Sequence, residues 1–366
     1  MEQDDGLSPP NVGHGGQLNQ RLSESRQLRV NRRGSDGKGS FAATSMVDQA
    51  LASLVSGGEL AAQCCFKQDG FCAYFLSPDQ FRQVAAWVGA VRAHSYRQVS
   101  PHGPEDVDLD GRDDHYWHLL ILDQDRGRLA GSLRMALSSW HGAGWDGQRS
   151  YLEHCYPGLD HAFRQRNQRY AEIGRTFVAA PYRRLSPVLL MLLRAMASIP
   201  LATGHCQLLG MVSYNHFQHS ATLQQRFLSA LLHPPFSADP GVPPPRHPFQ
   251  LPSQGPEGNA AACTAQSLGE LESNLQKEFQ DDFRVPLLLR KYMSFGNARV
   301  VGLSLAKDFN QICEILMHCD LTQLNPQQRQ LFVLDPILPV WEGLLPAQED
   351  PLEGGGAPAE GPTPSP

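Results

Sequence analysis

The chain lacks any apolar run long enough to cross a bilayer. Its most apolar stretch, Pro187 to Pro200, falls short of the ~18–20 residues required and carries Arg194. No apolar run follows a basic start, so a secretory leader is not expected. Positive charge is also short: 31 Lys and Arg against 37 Asp and Glu leave a net charge of −6, which argues against a nucleic-acid partner. The eight cysteines show no C-x-x-C and no framework spacing, and neighbours Cys64 and Cys65 are too close for an unstrained bridge. Reduced thiols in a cytoplasmic protein are the expectation. No internal repeat is present. Metal-ligand sets are thin as well. His115-x-x-His118 lies where a strand would point the two rings to opposite faces, and His216-x-x-His219 has no third ligand nearby, so no metal is expected.

Both ends are poor in large apolar side chains. Residues 1–45 are rich in Gly, Ser, Asn, Gln, Arg and Asp, and residues 345–366 in Pro, Gly, Ala and Glu. Neither buries enough surface to offset its ordering entropy, so both are expected to be disordered. About 300 residues remain between them, enough for one well-filled core. A single domain over residues 46–335 is therefore expected, with a Pro-rich insertion at 234–262, read as a linker, that contains Pro243-Pro-Pro245.

Within that span the pattern alternates between strands and helices. Gln63 to Ser77 favours strand and is broken by the turn pair Asp69-Gly70. Ser77-Pro78 opens a helix carrying Phe81, Val84, Trp87, Val88 and Val91 on one face. Residues 98–114 form an acidic loop, expected on a solvated surface. Tyr116–Asp123 and Arg128–Ala136 read as a second hairpin, and a helix is expected around 150–168. A strand at 170–178, a helix from Pro187 to about Ile199, a strand at 206–213 and a helix at 221–232 follow. Beyond the insertion, Ser267-Leu-Gly-Glu270 is a capping-box pattern, with strands at 298–304 and 314–321. Antiparallel hairpins at the start make this a mixed α/β or α+β fold, not a doubly wound sheet.

The stretch around which the rest is arranged is Tyr170-Ala-Glu-Ile-Gly-Arg-Thr-Phe-Val178. Ile173, Phe177 and Val178 favour a strand, yet Glu172 and Arg175 put charge where a buried strand avoids it. Two readings stand: a functional site, or a buried ion pair of Glu172 with Arg175 or Arg134 that fixes the sheet. Pro181 ends the pairing, and Ser186-Pro187 suits a helix start.

Taken in order, the blocks DDHYWHLLILDQDRGRLAGSLRM, AEIGRTFVAAPYRR, LLGMVSY and PLLLRKYMSFGNARVVG resemble the GNAT-fold acyltransferases that attach long acyl chains to amines. The resemblance is closest to the ornithine-acyl carrier protein N-acyltransferases, often labelled hemolysin-like. N-acyl amino acid synthases and acyl-homoserine-lactone synthases stand further off. It runs from about Phe71 to Leu321, interrupted by the insertion. One departure is Gly296-Asn-Ala-Arg-Val-Val-Gly-Leu-Ser, which lacks the family's usual Cys before its glycine.

This resemblance implies a mixed sheet whose two central parallel strands, here about 170–178 and 206–212, splay apart around the pantetheine arm of the donor. Acetyltransferases of this fold hold the CoA pyrophosphate on an Arg/Gln-x-x-Gly-x-Gly/Ala loop at a helix N-terminus. Arg184-Leu-Ser-Pro-Val-Leu189 has no glycine there, and Pro187 removes an N–H donor. Acyl carrier protein, which presents a single phosphodiester, is the expected co-substrate in place of CoA, and no bound cofactor is expected.

The implied reaction is aminolysis of a thioester by an amino acid such as ornithine. It requires removal of a proton from the amine and donors toward the carbonyl oxygen. Glu172 is the expected base, directly or through water, on the likeness to the family's Glu-x-x-Arg strand. Arg175 either holds the acceptor's carboxylate or orients Glu172. Arg134, Gly174 and Ser213 are expected to line the substrate, with Ser213 a wall residue because no G-x-S-x-G elbow surrounds it. Arg183 and Arg184 flank the donor loop and suit an acidic carrier protein better than helix-borne Arg164, Arg166 and Arg169. Acyl-CoA as donor with another small amine as acceptor, and a binding module derived from this fold without catalysis, are the alternatives. A lipid product would bring the protein to the inner face of the membrane.

Overall fold

The computed structural model describes residues 52–97, 106–138, 146–184, 186–251, 265–295, 298–307 and 311–334. The terminal segments expected to be disordered lie outside these residues, as do 252–262 of the insertion.

Eight strands form one mixed sheet in the order β1-β2-β3-β4-β5-β6-β8-β7. They are β1 (Cys64–Gln68), β2 (Phe71–Leu76), β3 (Trp117–Asp123), β4 (Arg128–Leu137), β5 (Tyr170–Val178), β6 (Gln207–Tyr214), β7 (Arg299–Ala306) and β8 (Ile312–Asp320). The two expected hairpins are there: Asp69 and Gly70 both take positive φ at the β1–β2 turn. All pairings are antiparallel except β5 with β6.

The helices named below are α1 (Pro78–Arg82), α2 (Ala85–Arg97), α3 (Tyr151–Cys155), α4 (Leu159–Gln165), α5 (Ser186–Ala202), α6 (Ala221–Leu231), α7 (Leu268–Phe279), α8 (Leu287–Ser294) and α9 (Pro326–Phe332). At α1, Ser77 and Gln80 cap each other reciprocally with Pro78 at the first position. The single helix expected around 150–168 is two, because Gly158 takes φ +87° between them. Helix α5 runs past Pro200 to Ala202, further than the sequence pattern indicated.

One face of the sheet packs against α5, whose Val188, Met191, Leu192, Met196 and Ile199 are buried in the main core. Each such side chain contributes about 1.5–3 kcal/mol relative to exposure. Gly131 lets α5 approach, since a Cβ there would lie 3.0 Å from Val188 Cγ1. The opposite face carries α3 and α4, with Leu152, Tyr156, Leu159 and Phe163 packed on Tyr170, Leu209 and Leu316.

Three expectations are corrected. The acidic loop, in its described part 106–114, is anchored and not merely solvated, with Asp108 and Asp113 buried. The Pro-rich insertion is no loose linker over 234–251: Ser237 bridges Val300, Pro248 bridges Ser304, and His247 O accepts from Leu305 N–H. Cys64 and Cys72 form a disulfide across the first hairpin, against the expectation of reduced thiols; the turn at Asp69-Gly70 brings their strands side by side.

Candidate active site

Strands β5 and β6 pair only from Tyr170 opposite Gln207 to Ile173 opposite Gly210. Both strands continue, to Val178 and Tyr214, without further pairing, so the sheet opens between them. A bulge marks the same level on the other side of β5. Ser132 pairs with Phe177 and Arg134 with Gly174, which takes Arg175 and Thr176 out of the β4 ladder. Arg175 has φ +50°, a strained value for a residue with a side chain, and such bulges re-aim backbone and side chain together.

Glu172 sits one step before the opening and is 2 % exposed. Its Oε1 accepts from Tyr116 Oη at 2.5 Å and from Leu152 N–H at 3.0 Å, and its Oε2 accepts from Ser150 Oγ at 2.7 Å. Burial raises its pKa above the ordinary glutamate value, against the lowering effect of these donors and of Arg134. The carboxylate is thus held by two hydroxyls and one backbone N–H. Neither arginine expected to pair with it does so among the described contacts.

The arginines are engaged elsewhere. Arg134, 2 % exposed, lies with its guanidinium 4.5 Å from the Tyr116 ring centroid. Its Nη1 donates to Asp110 Oδ1 at 2.9 Å and to Asp113 Oδ1 at 3.0 Å. Arg175 Nη2 donates to Asp110 Oδ2 at 2.9 Å, and its Nη1 is 3.2 Å from Asp108 Oδ1. Arg92 on α2, 1 % exposed, completes the group through Asp108 Oδ2 at 3.0 Å and Asp113 Oδ2 at 2.7 Å. Three arginines and three aspartates therefore balance, which is what makes this much buried charge tolerable. Burial pushes Asp110 up, but Arg134 and Arg175 outweigh it and hold it at about 2. Asp113 is held lower still, because Arg92 and Arg134 overcome its desolvation.

Gly174 serves this arrangement by what it omits. A Cβ there would lie 3.2 Å from Arg134 Nε, so glycine lets the guanidinium stem cross β5. Ser213 is exposed on the far side of the opening, in register with Glu314 of β8. Arg183 and Arg184 lie beyond the end of β5, both exposed. Arg183 is tied back to the fold, its guanidinium donating to the carbonyls of Val178 and Ser95. The structure thus gathers Glu172, Gly174, Arg175 and Arg134 into one neighbourhood and leaves Arg183 and Arg184 at the end of β5.

Sequence reasoning missed Tyr116, Ser150, Arg92, Asp108, Asp110 and Asp113. Ser150 had a local signal as the N-cap of α3, accepting from Glu153 N–H at 2.9 Å while its own hydroxyl donates to Glu172. The histidines have structural partners: His118 stacks on Phe81 and contacts Asp113 O at 3.0 Å, and His219 lies 3.3 Å from Asp281.

On the α5 side of the opening, an apolar cavity of about 30 Å³ is lined by Ile173, Met196, Leu208, Gly210, Tyr292 and Phe295, among others. A cavity of about 760 Å³ opens at the opposite end of these strands, bounded in part by Arg166, Gln207, Arg299 and Asp320. Of the arginines considered for a carrier protein, only Arg166 lines it.

Residues 91–194 match the acetyltransferase (GNAT) domain family. That segment runs from within α2 to the middle of α5 and includes the charge network and Glu172. No curated protein matches the chain. Among solved structures, a CoA-dependent acyl-homoserine lactone synthase, BjaI, is similar at 18 % identity over 44 % of this chain and 72 % of its own, with a TM-score of 0.30. A second such synthase, MesI, is similar at 14 % identity over 72 % of this chain and 99 % of its own, TM-score 0.33. FeeM, an N-acyl amino acid synthase from uncultured soil microbes, is similar at 17 % identity over 48 % and 86 %, TM-score 0.26.

Proposed function

We propose that this acyltransferase moves a fatty acyl group from acyl carrier protein to the amino group of an amino acid such as ornithine, forming an amide. The observation that carries this reading is the Glu172 carboxylate, buried, raised in pKa and held by Tyr116, Ser150 and Leu152 N–H, beside the point where β5 and β6 part. The thioester's pantetheine arm lies in the opening, and the fatty chain begins at the apolar cavity on the α5 side. The amine attacks the thioester carbon, one of its protons passes to Glu172 directly or through one water, and the carrier's sulfur leaves as the thiolate, which takes that proton back to become the thiol. A raised pKa makes Glu172 a stronger base than an exposed glutamate. The oxyanion contact is assigned to backbone N–H groups at the bulge around Arg175, where donors fixed in place act at low dielectric.

The donor assignment rests on the start of α5. Pro187 in its first turn removes one N–H, and no glycine stands between Arg184 and Leu189 to let backbone approach a pyrophosphate. Arg183 and Arg184 at the end of β5 meet an acidic carrier by charge complementarity. Arg175, with its side chain paired to Asp108 and Asp110, acts by holding the bulge in shape.

The test incubates purified protein with fatty acyl carrier protein or acyl-CoA and a panel of amino acids, reading products by mass spectrometry. Amide formation from the carrier-bound acyl group is expected, with acyl-CoA much slower. Consumption of neither donor with any amine would sink the proposal, and faster reaction with acyl-CoA would overturn its donor.

A further inference from the structure

The cavity of about 760 Å³ is put to no use by the acyl-transfer reading. Its volume falls within the roughly 300–1,000 Å³ of small-molecule sites. Gln207 on its wall pairs with Tyr170 at the start of the β5–β6 ladder, the end away from where those strands part. None of the residues that hold Glu172, which are Tyr116, Ser150 and Leu152, lines it. Ala238 to Gly241 of the 234–251 segment form one wall, fixed to β7 where Ala238 N–H donates to Val300 O at 3.0 Å.

Two arginines line the cavity, Arg166 just past α4 and Arg299 at the start of β7. Arg166 is built into place. Its guanidinium lies 4.7 Å from the Phe163 ring centroid, Nε donates to Gln168 Oε1 at 3.1 Å, and Nη1 donates to Gly241 O at 2.9 Å. Gly241 has φ +71°, and a side chain there would run into that Nη1. Arg299 donates through Nη1 to Ala298 O at 3.0 Å. Neither arginine meets a carboxylate among the described contacts, so each keeps N–H groups for a ligand. Two aspartates at the cavity balance these charges formally, but they are engaged. Asp320 accepts from Thr322 N–H and Oγ1, from Gln323 Nε2 and from the Gln207 side chain, and Asp239 Oδ1 accepts from Gly241 N–H. Gln207 Oε1 in turn lies 2.7 Å from His318 Nε2. Burial, opposed by Asp320 and aided by Arg166, keeps that ring below the ordinary histidine range. What the walls offer is therefore chiefly N–H donors on fixed cations.

We propose that this cavity is a second ligand site, for a small molecule carrying a phosphate group held by Arg166 and Arg299. Guanidinium forks match phosphate oxygens, and such charge-assisted bonds are the stronger kind. The Phe163 ring and two tethers hold Arg166 in position before a ligand arrives, so less side-chain freedom is lost on binding. The concave shape suits a small molecule better than the surface of a carrier protein. Free phosphate and a phosphate ester present the same group here. The site does not depend on the acyl-transfer reading, because it is defined by binding alone.

The experiment titrates inorganic phosphate, ribose 5-phosphate, AMP and malonate into the full chain by calorimetry at constant ionic strength. Saturable binding of at least one phosphate probe is expected. Arg166→Gln or Arg299→Gln should weaken it by about 10- to 100-fold, as loss of a charged hydrogen bond implies. Arg164→Gln, off the cavity, should leave it unchanged, with circular dichroism confirming the fold of each variant. Equal affinity for inorganic phosphate and the esters identifies free phosphate as the occupant, and tighter binding of an ester identifies the ester; both uphold the site. Hydrogen exchange locates it, since the bound probe should slow exchange at Ala238 and Gly241. Slowing confined to the start of α5 would put the phosphate at the donor opening and overturn the proposal. So would malonate binding as tightly as phosphate, no saturable binding of any phosphate probe, or binding that both arginine variants leave intact.

Discussion

At the scale of single residues, the decisive feature is that Glu172 is held by neutral donors while the nearby arginines are neutralised by aspartates. A Gln in its place keeps the shape and most of the hydrogen bonds but cannot take a proton. Glu172→Gln is expected to lower kcat by about 10²–10⁴-fold, the usual worth of a general base, with the melting temperature little changed. Wild-type turnover in that variant would remove Glu172 from the mechanism. The acid limb of the kcat/KM profile should fall above the ordinary glutamate range, because burial raises this carboxyl, and the variant should lose the limb. Glu172 and Arg175 stood out in the sequence because charge is out of place in a strand with Ile173, Phe177 and Val178. Their true partners did not. Tyr116 and Ser150 are 56 and 22 residues away from Glu172, and no local pattern links such positions.

The charge network is a property of elements. It joins α2, the loop before β3, β4 and β5, so removing one member strands two others. Asp113 meets both Arg92 and Arg134, and Asp113→Asn is expected to cost about 3–5 kcal/mol, read from urea unfolding. A loss under 1 kcal/mol would show that the network does not brace this corner. Where α5 crosses the sheet, Gly131→Val should cost about 1–3 kcal/mol by overpacking, measured in the same way, since even a Cβ would meet Val188 Cγ1 and Phe177 O at 3.0 Å. Strand and helix order was legible from apolar periodicity and turn residues. The acidic loop was misread because five aspartates in a Gly-containing run have the composition of solvated surface. Only the arginines of α2, β4 and β5, brought close by the fold, turn it inward.

Across the described residues, two buried histidines are kept neutral: His118 is pushed down to about 3 and His205 to about 4, both chiefly by burial. The unfolded chain binds protons on these rings from about pH 6.5, the folded chain only far below. Stability is therefore expected to fall as pH drops below about 6.5, and more steeply under pH 4, where Asp110 loses its advantage down to about 2. Melting temperatures measured from pH 8 to 3 check this; a flat profile between 7 and 4 would contradict it. Among the described residues no helix is long and apolar enough to cross a membrane.

The segment over 234–251 also has a consequence for assembly. Bridges from Ser237 and Pro248 and the backbone bond to His247 lie along β7, the last strand on that side. Its outward N–H and C=O groups are thereby partly spoken for, with Pro248 at one contact. A second copy of the chain therefore finds no continuous template there on which to add a strand. That leaves short β1, bulged near Cys64 and carrying Lys67, as the other border of the sheet. Both margins of an eight-stranded sheet are thus blunted against edge-to-edge growth, one by a stretch that composition alone would have dismissed as a spacer.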